Sequence, residues 1–267
     1  MQAAAHNLTP VTLELGGKSP AVVLPDYPID KAARSIAFGK FVNAGQTCIA
    51  PDYVLVPTAS AQSFADAVMS HVQRSYPRLS GNDDYTSMIS RRHYDRLADA
   101  VAQARRGGAT IMTHRDESGE AARKLGPTLI LNVPDDSLLL SEEIFGPVLP
   151  IVGYDRLEDA LAFINARDRP LALYGFTNDE TSRARLLDGA ISGGVTLNGT
   201  LLHIAQEGLP FGGIGPSGLG AYHGYDGFRR LSHARGVHQI GGVNAFERMG
   251  PPWGLMSSVL GRLLSRR

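Results

Sequence analysis

Residues 41–56, FVNAGQTCIAPDYVLV, decide the architecture of this chain. The stretch begins on an apolar helical pattern, passes through small residues and closes on a β-branched run. Upstream, Ile29, Ala32, Ala33, Ile36, Ala37 and Phe41 recur at helical spacing, and Asn43-Ala44-Gly45 marks the helix end. Downstream, YVLV at 53–56 is a buried strand, and AVVL at 21–24 is another ahead of the helix. Strand, helix and strand in succession are the unit of a parallel sheet. Cys48, the single cysteine among 267 residues, stands at the junction between the helix and the second strand.

The pattern continues along the chain. Helical periodicity predicts helices over about 60–76 and 90–106, the second ended by Gly107-Gly108. Strands follow at 110–113, 128–132 and 148–154. A helix at 157–166 leads to a strand at 174–177, and a helix at 180–187 leads to a strand at 195–198. The expected fold class is therefore α/β, with a mainly parallel sheet and flanking helices. After about residue 204 the character changes: eight of the twenty residues from 208 to 227 are glycine. Residues 237–243 are expected to form a short edge strand. The tail from 253 sets Trp253, Met256, Leu260 and Leu263 on one helical face, with arginines at the end.

Composition bounds the function. The chain is 43% hydrophobic and 19% charged, and 26 basic residues balance 26 acidic ones. A neutral chain has no long-range field to gather nucleic acid. One cysteine cannot form an internal disulfide, which points to a reducing, cytoplasmic location. The N-terminal residues show no signal-peptide pattern, and no run approaches the length of a membrane span. The tail has a short apolar face and few charges, so packing or dimerisation is expected of it rather than membrane anchoring.

A lone cysteine is most often a small buried hydrophobe. At a helix–strand junction it can instead be reached by a substrate, and backbone N–H groups there can stabilise a thiolate or an oxyanion. On that reading Cys48 is expected to have a lowered pKa. A thiol nucleophile needs a partner to move protons. TLELGGKSP at 12–20 offers Glu14, inside an apolar strand pattern that would desolvate it and raise its pKa. The plainer alternative is a strand-end glutamate paired with Lys18. GGKSP lacks the upstream glycine of a phosphate-binding loop, because Thr12 occupies that position. GIGPSG at 213–218 fits a dinucleotide-binding turn in form only: no strand precedes it and no acid follows at the required distance. SEEIFGPVLPI at 141–151 sets two carboxylates beside a Phe-Gly-Pro turn. It is either a solvated turn or a carboxylate offered to a hydroxylated ligand, with Phe145 against a ring. No histidine pair has zinc spacing and one cysteine builds no thiolate site, so no metal is expected.

Together, LELGGKSP, NAGQTC, EEIFGPV and LPFGGIGPSGLGAYHG, in this order, closely resemble the aldehyde dehydrogenase superfamily over nearly the whole chain. QTCIAPDYVLV, YHG and the tail after PPWG are most similar to its class 3 and coniferyl aldehyde dehydrogenase branch. The resemblance implies an NAD- or NADP-dependent oxidation of a small-molecule aldehyde to a carboxylic acid. Cys48 would form a thiohemiacetal and then a thioester, and Glu14 would activate the hydrolytic water. Glu143 and Phe145, with Leu15 and Gly16, would hold the nicotinamide end of the cofactor, and Phe211 would line the substrate tunnel. It also implies a C-terminal oligomerisation strand and, where the family's upstream cofactor-binding half is present, a homodimer.

Family members begin far upstream of the glutamate signature, whereas Met1 lies 13 positions before Glu14. Residues 1–15 are thus expected to be the end of a missing cofactor-binding half, 16–235 the catalytic α/β domain, and 236–267 the oligomerisation strand and tail. The expectation is a truncated chain that oxidises aldehydes poorly by itself. Two other readings stand beside it: a cofactor-independent thiol esterase using Cys48 and Glu14, and a non-catalytic remnant that pairs with a full-length homologue.

Overall fold

The structure, a computed structural model, describes residues 1–267 apart from 117, 118, 243, 245, 246, 248, 249, 266 and 267. The chain divides into two units, Met1–Leu231 and Ser232–Arg267. In chain order the first holds α1 (Gln2–Ala5), β1 (Leu13–Glu14), β2 (Pro20–Val23), α2 (Ile29–Phe41), β3 (Tyr53–Pro57), α3 (Ala61–Ser75), α4 (Arg91–Arg106) and β4 (Thr110–Thr113). It continues through β5 (Thr128–Leu131), α5 (Leu138–Ser141), β6 (Val148–Tyr154), α6 (Leu157–Asn165), β7 (Ala172–Phe176), α7 (Glu180–Gly189), β8 (Gly194–Leu197), β9 (Gly218–Leu219) and α8 (Gly224–Arg230).

Seven strands form one sheet in the order β4-β5-β6-β3-β2-β7-β8. The pairs from β5 to β8 are parallel, and β4 runs antiparallel to β5 at one edge. Strand residues alternate between two helix layers because successive side chains point to opposite faces. Ala21, Val23, Val54 and Val56 pack on one face against Ile36 and Phe41 of α2 and Phe64 and Val68 of α3. Val22, Leu24, Tyr53 and Leu55 pack on the other face with Ala160 and Ile164 of α6 and Leu186 of α7. Ile130 lies in a further cluster with Tyr94, Leu97 and Ala100 of α4. Each fully buried Leu, Ile or Phe side chain here contributes about 1.5–3 kcal/mol relative to exposure.

The strongly periodic helices and the buried strands form where the sequence places them. β1 is different. Among the described residues it pairs with β9 alone, antiparallel, with Leu13 opposite Leu219 and Glu14 opposite Gly218. The Leu15 N–H donates to the Ser217 carbonyl at 3.0 Å, and Arg230 holds the approach to β1 through the Thr12 hydroxyl at 2.8 Å and the Val11 carbonyl.

In the second unit, α9 (Leu255–Leu264) forms as the tail pattern predicts, and Leu255, Met256, Val259 and Leu263 are exposed. The edge strand expected over 237–243 is not seen. Residues 237–242 carry no strand and 243 lies outside the described residues. A strand exists only where a neighbour completes its ladder, and residues 237–242 have none among the described residues. Among the described residues, no helix is long and apolar enough to cross a membrane.

Candidate active site

Strand order brings the sequence-predicted residues together. β6, β3 and β2 are successive neighbours and run parallel. The segments that enter them therefore meet at one edge of the sheet: 14–18 before β2, 42–52 before β3 and 138–147 before β6. These carry Glu14, Cys48 and Glu143 respectively. The edge is the N-terminal one, whereas ligands of open parallel sheets usually collect at the C-terminal ends of strands.

The turn before β3 is strained. Asn43 and Ala44 have φ near +50°, a region costly for residues with a Cβ, and Gly45 follows at φ +73°. Cross-hydrogen-bonds between Asn43 and Gln46 hold it, and Gln46 also bonds Ser87 and Ile89 on the next loop. Gly45 is obligatory in space as well: a Cβ there would lie 2.3 Å from the Gly146 carbonyl oxygen. The cysteine turn and the Glu143 turn are thus packed backbone to backbone. The Tyr174 hydroxyl fixes the far side by donating to the Ile49 carbonyl.

Cys48 is half-buried, and its Sγ lies 3.5 Å from Glu14 Oε1. This contact overturns the expected low-pKa thiol. Burial and the Glu14 carboxylate push the thiol up to about 11, and its own backbone N–H offsets only part of that. A thiol beside an anion keeps its proton. The expected desolvation of Glu14 is overturned too, since Glu14 is exposed. It belongs to a two-residue strand outside the main sheet, so the apolar pattern around it does not carry it into the core. Nor does it pair with Lys18, whose ammonium bonds Asp52 Oδ2 at 2.5 Å and the carbonyls of Leu139 and Glu142 at 2.8 Å each.

Glu143 is half-buried. Burial first, then the nearby Asp52 charge, push its carboxyl up to about 7; the Gly17 N–H, Lys18 and Lys40 act in the opposite direction. Its carboxylate oxygens would lie 2.9 Å from a Cβ at Gly16, whose φ of +88° also favours glycine. Leu15, Gly16, Gly17, Lys18 and Glu143 line a cavity of about 370 Å³. Phe145 sits on a left-handed residue (φ +49°) with its ring edge-on to His93, centroids 6.4 Å apart. Arg96 holds this turn through the Ile144 carbonyl at 2.6 Å.

Sequence reading missed four residues here. Asp52 is buried at the centre, accepting from Lys18 and from the Ile144 N–H at 3.0 Å, so it ties all three segments. Lys40 is fully buried, its ammonium 3.9 Å from Asp52 and without a hydrogen-bond partner among the described residues. Burial pushes it down to about 8 despite the Asp52 charge. Its signal was available, for position 40 continues the apolar stripe of Ala33, Ile36 and Ala37. Tyr222 donates its hydroxyl to Glu14 Oε2. Beside it, His223 stacks on Phe211 with centroids 5.5 Å apart. Phe211 itself is buried in the core cluster that Cys48 packs against. Among the described residues no group of His, Cys, Asp and Glu could hold a metal ion.

The class that the fold and site define is a mainly parallel α/β protein whose sheet gathers one thiol and two carboxylates at its N-terminal edge, groups whose chemistry is nucleophilic attack and proton transfer. The sequence profile of the Aldehyde dehydrogenase family matches residues 1–237, and the chain belongs to that family. It is 53% identical over 254 residues to a Pseudomonas aeruginosa protein named "Probable coniferyl aldehyde dehydrogenase", covering 95% of this chain and 53% of the relative. Its fold is similar to that of Staphylococcus aureus AldH, solved in a substrate-bound state, with a TM-score of 0.85, 37% identity and coverage of 98% of this chain and 57% of the other. An NAD-dependent aldehyde dehydrogenase from Sinorhizobium meliloti matches with a TM-score of 0.81 and 30% identity, over 91% of this chain and 49% of the other. The chain spans about half the length of the curated relatives it matches.

Proposed function

We propose that this chain carries the covalent chemistry of an NAD- or NADP-dependent aldehyde oxidation, with an aromatic aldehyde of the coniferyl type as the substrate. The observation that carries the proposal is the contact between Cys48 Sγ and Glu14 Oε1. Membership of the aldehyde dehydrogenase family favours this over a cofactor-independent esterase or a non-catalytic remnant.

A thiol held near pKa 11 is not a standing thiolate at neutral pH. Attack therefore requires that Glu14 take the Sγ proton as sulfur bonds to the aldehyde carbon. The product on Cys48 is a thiohemiacetal, whose oxygen the Cys48 N–H can meet as a donor. A bound nicotinamide dinucleotide supplies the hydride acceptor. Once that carbon has lost its hydride, Cys48 carries a thioester. Glu14, having passed the Sγ proton to solvent, then takes a proton from water as the water oxygen adds to the thioester carbon; the carbon–sulfur bond breaks, the carboxylic acid leaves, and the Cys48 sulfur recovers a proton from Glu14.

The residues present fit the nicotinamide end of such a cofactor. The 370 Å³ cavity is of ligand size, and Glu143 offers it a half-buried acceptor for vicinal hydroxyls. Gly16 keeps the backbone close enough for that approach, Leu15 lines the cavity, and Phe145 stands on the same turn as Glu143. Phe211 would line the aldehyde's path. A cytoplasmic location, and a homodimer where the upstream cofactor-binding half is present, complete the proposal.

Mass spectrometry tests it. Incubation with an aromatic aldehyde and NAD or NADP should place an acyl group on the peptide that contains Cys48, and Glu14→Gln should lengthen its lifetime. An acyl group of the same mass carried to the same extent by Cys48→Ala would end the proposal.

A further inference from the structure

We infer that Tyr222 is a positioning residue that clamps Glu14 in its working orientation, above all after Cys48 has been acylated. The inference rests on Glu14 being the base proposed above. Glu14 has one oxygen on the Cys48 thiol and the other on the Tyr222 hydroxyl. It is otherwise exposed, on a strand of two residues, so nothing in the core fixes its rotamer. The thiol half of the clamp is transient. A thioester sulfur has no proton to donate, so acylation removes the Cys48 bond when Glu14 must turn to water. The Tyr222 bond is the side-chain tie that survives the step.

Tyr222 is built to hold still. Its N–H and carbonyl both bond Phe211 at 2.8 Å. Its ring stands edge-on to Phe211 and His223, with centroids 5.7 and 4.8 Å away. Burial and the Glu14 carboxylate push the phenol up to about 12, so it remains a donor through the working pH range. The thiol is faced by the carboxylates of Glu14 and Glu143 and by the phenols of Tyr174 and Tyr222. Of these, Glu14 is the group that Tyr222 orients.

The test needs neither aldehyde nor cofactor. Iodoacetamide alkylation of Cys48 is followed against pH in the unsubstituted chain, Tyr222→Phe, Glu14→Gln and the double variant. Tyr222→Phe keeps the ring and its contacts but frees Glu14 to swing into solvent. The thiol then loses its anionic neighbour, and alkylation at pH 8 should rise roughly tenfold or more, toward the Glu14→Gln value. The double variant should behave like Glu14→Gln alone, because the effect runs through the carboxylate. In a second arm, p-nitrophenyl acetate acylates Cys48, and Tyr222→Phe should prolong the acyl group's life nearly as much as Glu14→Gln does. An alkylation profile unchanged by Tyr222→Phe, or changed equally in the Glu14→Gln background, would overturn the inference. Failure of p-nitrophenyl acetate to label Cys48 would count instead against the nucleophile, and the alkylation arm would still judge Tyr222.

Discussion

Lys40 is a fully buried lysine with no hydrogen-bond partner among the described residues, and its cost can be read from pH. Its folded pKa of about 8 lies below its ordinary 10.5. Below pH 8 both states are protonated and the folded state bears the full penalty. Between the two values the unfolded chain binds the extra proton, so stability gains as pH rises. Lys40→Met should therefore raise stability by about 3 kcal/mol at pH 7, and urea denaturation should show the advantage shrinking toward pH 10. Glu143 has the opposite sign. Its carboxyl is raised from 4.5 to about 7, so the folded state retains a proton that the unfolded chain gives up in that window, and stability falls as pH rises through it. Glu143→Gln should stabilise the chain by about 1–2 kcal/mol at pH 8, discounted for its partial exposure, and by little at pH 4. Thermal melts at the two pH values check this.

At the scale of elements, the cysteine turn was legible as a helix end, yet its conformation was not. Asn43 and Ala44 in left-handed geometry have no signature in local propensity, since the strain is held by Gln46 reaching the 87–89 segment. Gly45→Ala tests that account. A Cβ pressed on the Gly146 carbonyl at a positive φ should destabilise by more than about 2 kcal/mol, and should shift the Glu143 turn as well. NMR perturbations confined to residues 42–48 would contradict that coupling. β1 was misread in environment. Its apolar alternation suggested a core strand, but its partner is a glycine-rich segment far along the chain, and pairing partners cannot be read from a local pattern. Arg230→Ala should let β1 fray, and hydrogen exchange at Leu13 and Leu15 should quicken while the central sheet stays protected.

At the scale of the molecule, most of the large sheet was legible because its strands are buried and its helices strongly periodic. The family motifs pointed to Cys48 and Glu14 as a pair. The charge network beneath them was not legible. Asp52, Lys18 and Lys40 meet only because β6, β3 and β2 lie side by side, and strand order is a property of the whole fold.

The pairing of β1 with β9 also orders events in time. Cys48 enters its pocket with the central sheet, whereas Glu14 and Tyr222 stand 208 positions apart in the chain. Contacts that close so long a loop form late, after local ones have lowered the cost of closure. A chain still being synthesised would therefore carry its thiol for a long interval before the carboxylate is docked against it. In stopped-flow refolding, the far-UV signal of the sheet should recover first. The fall in Cys48 alkylation rate that marks the arrival of Glu14 should trail behind it.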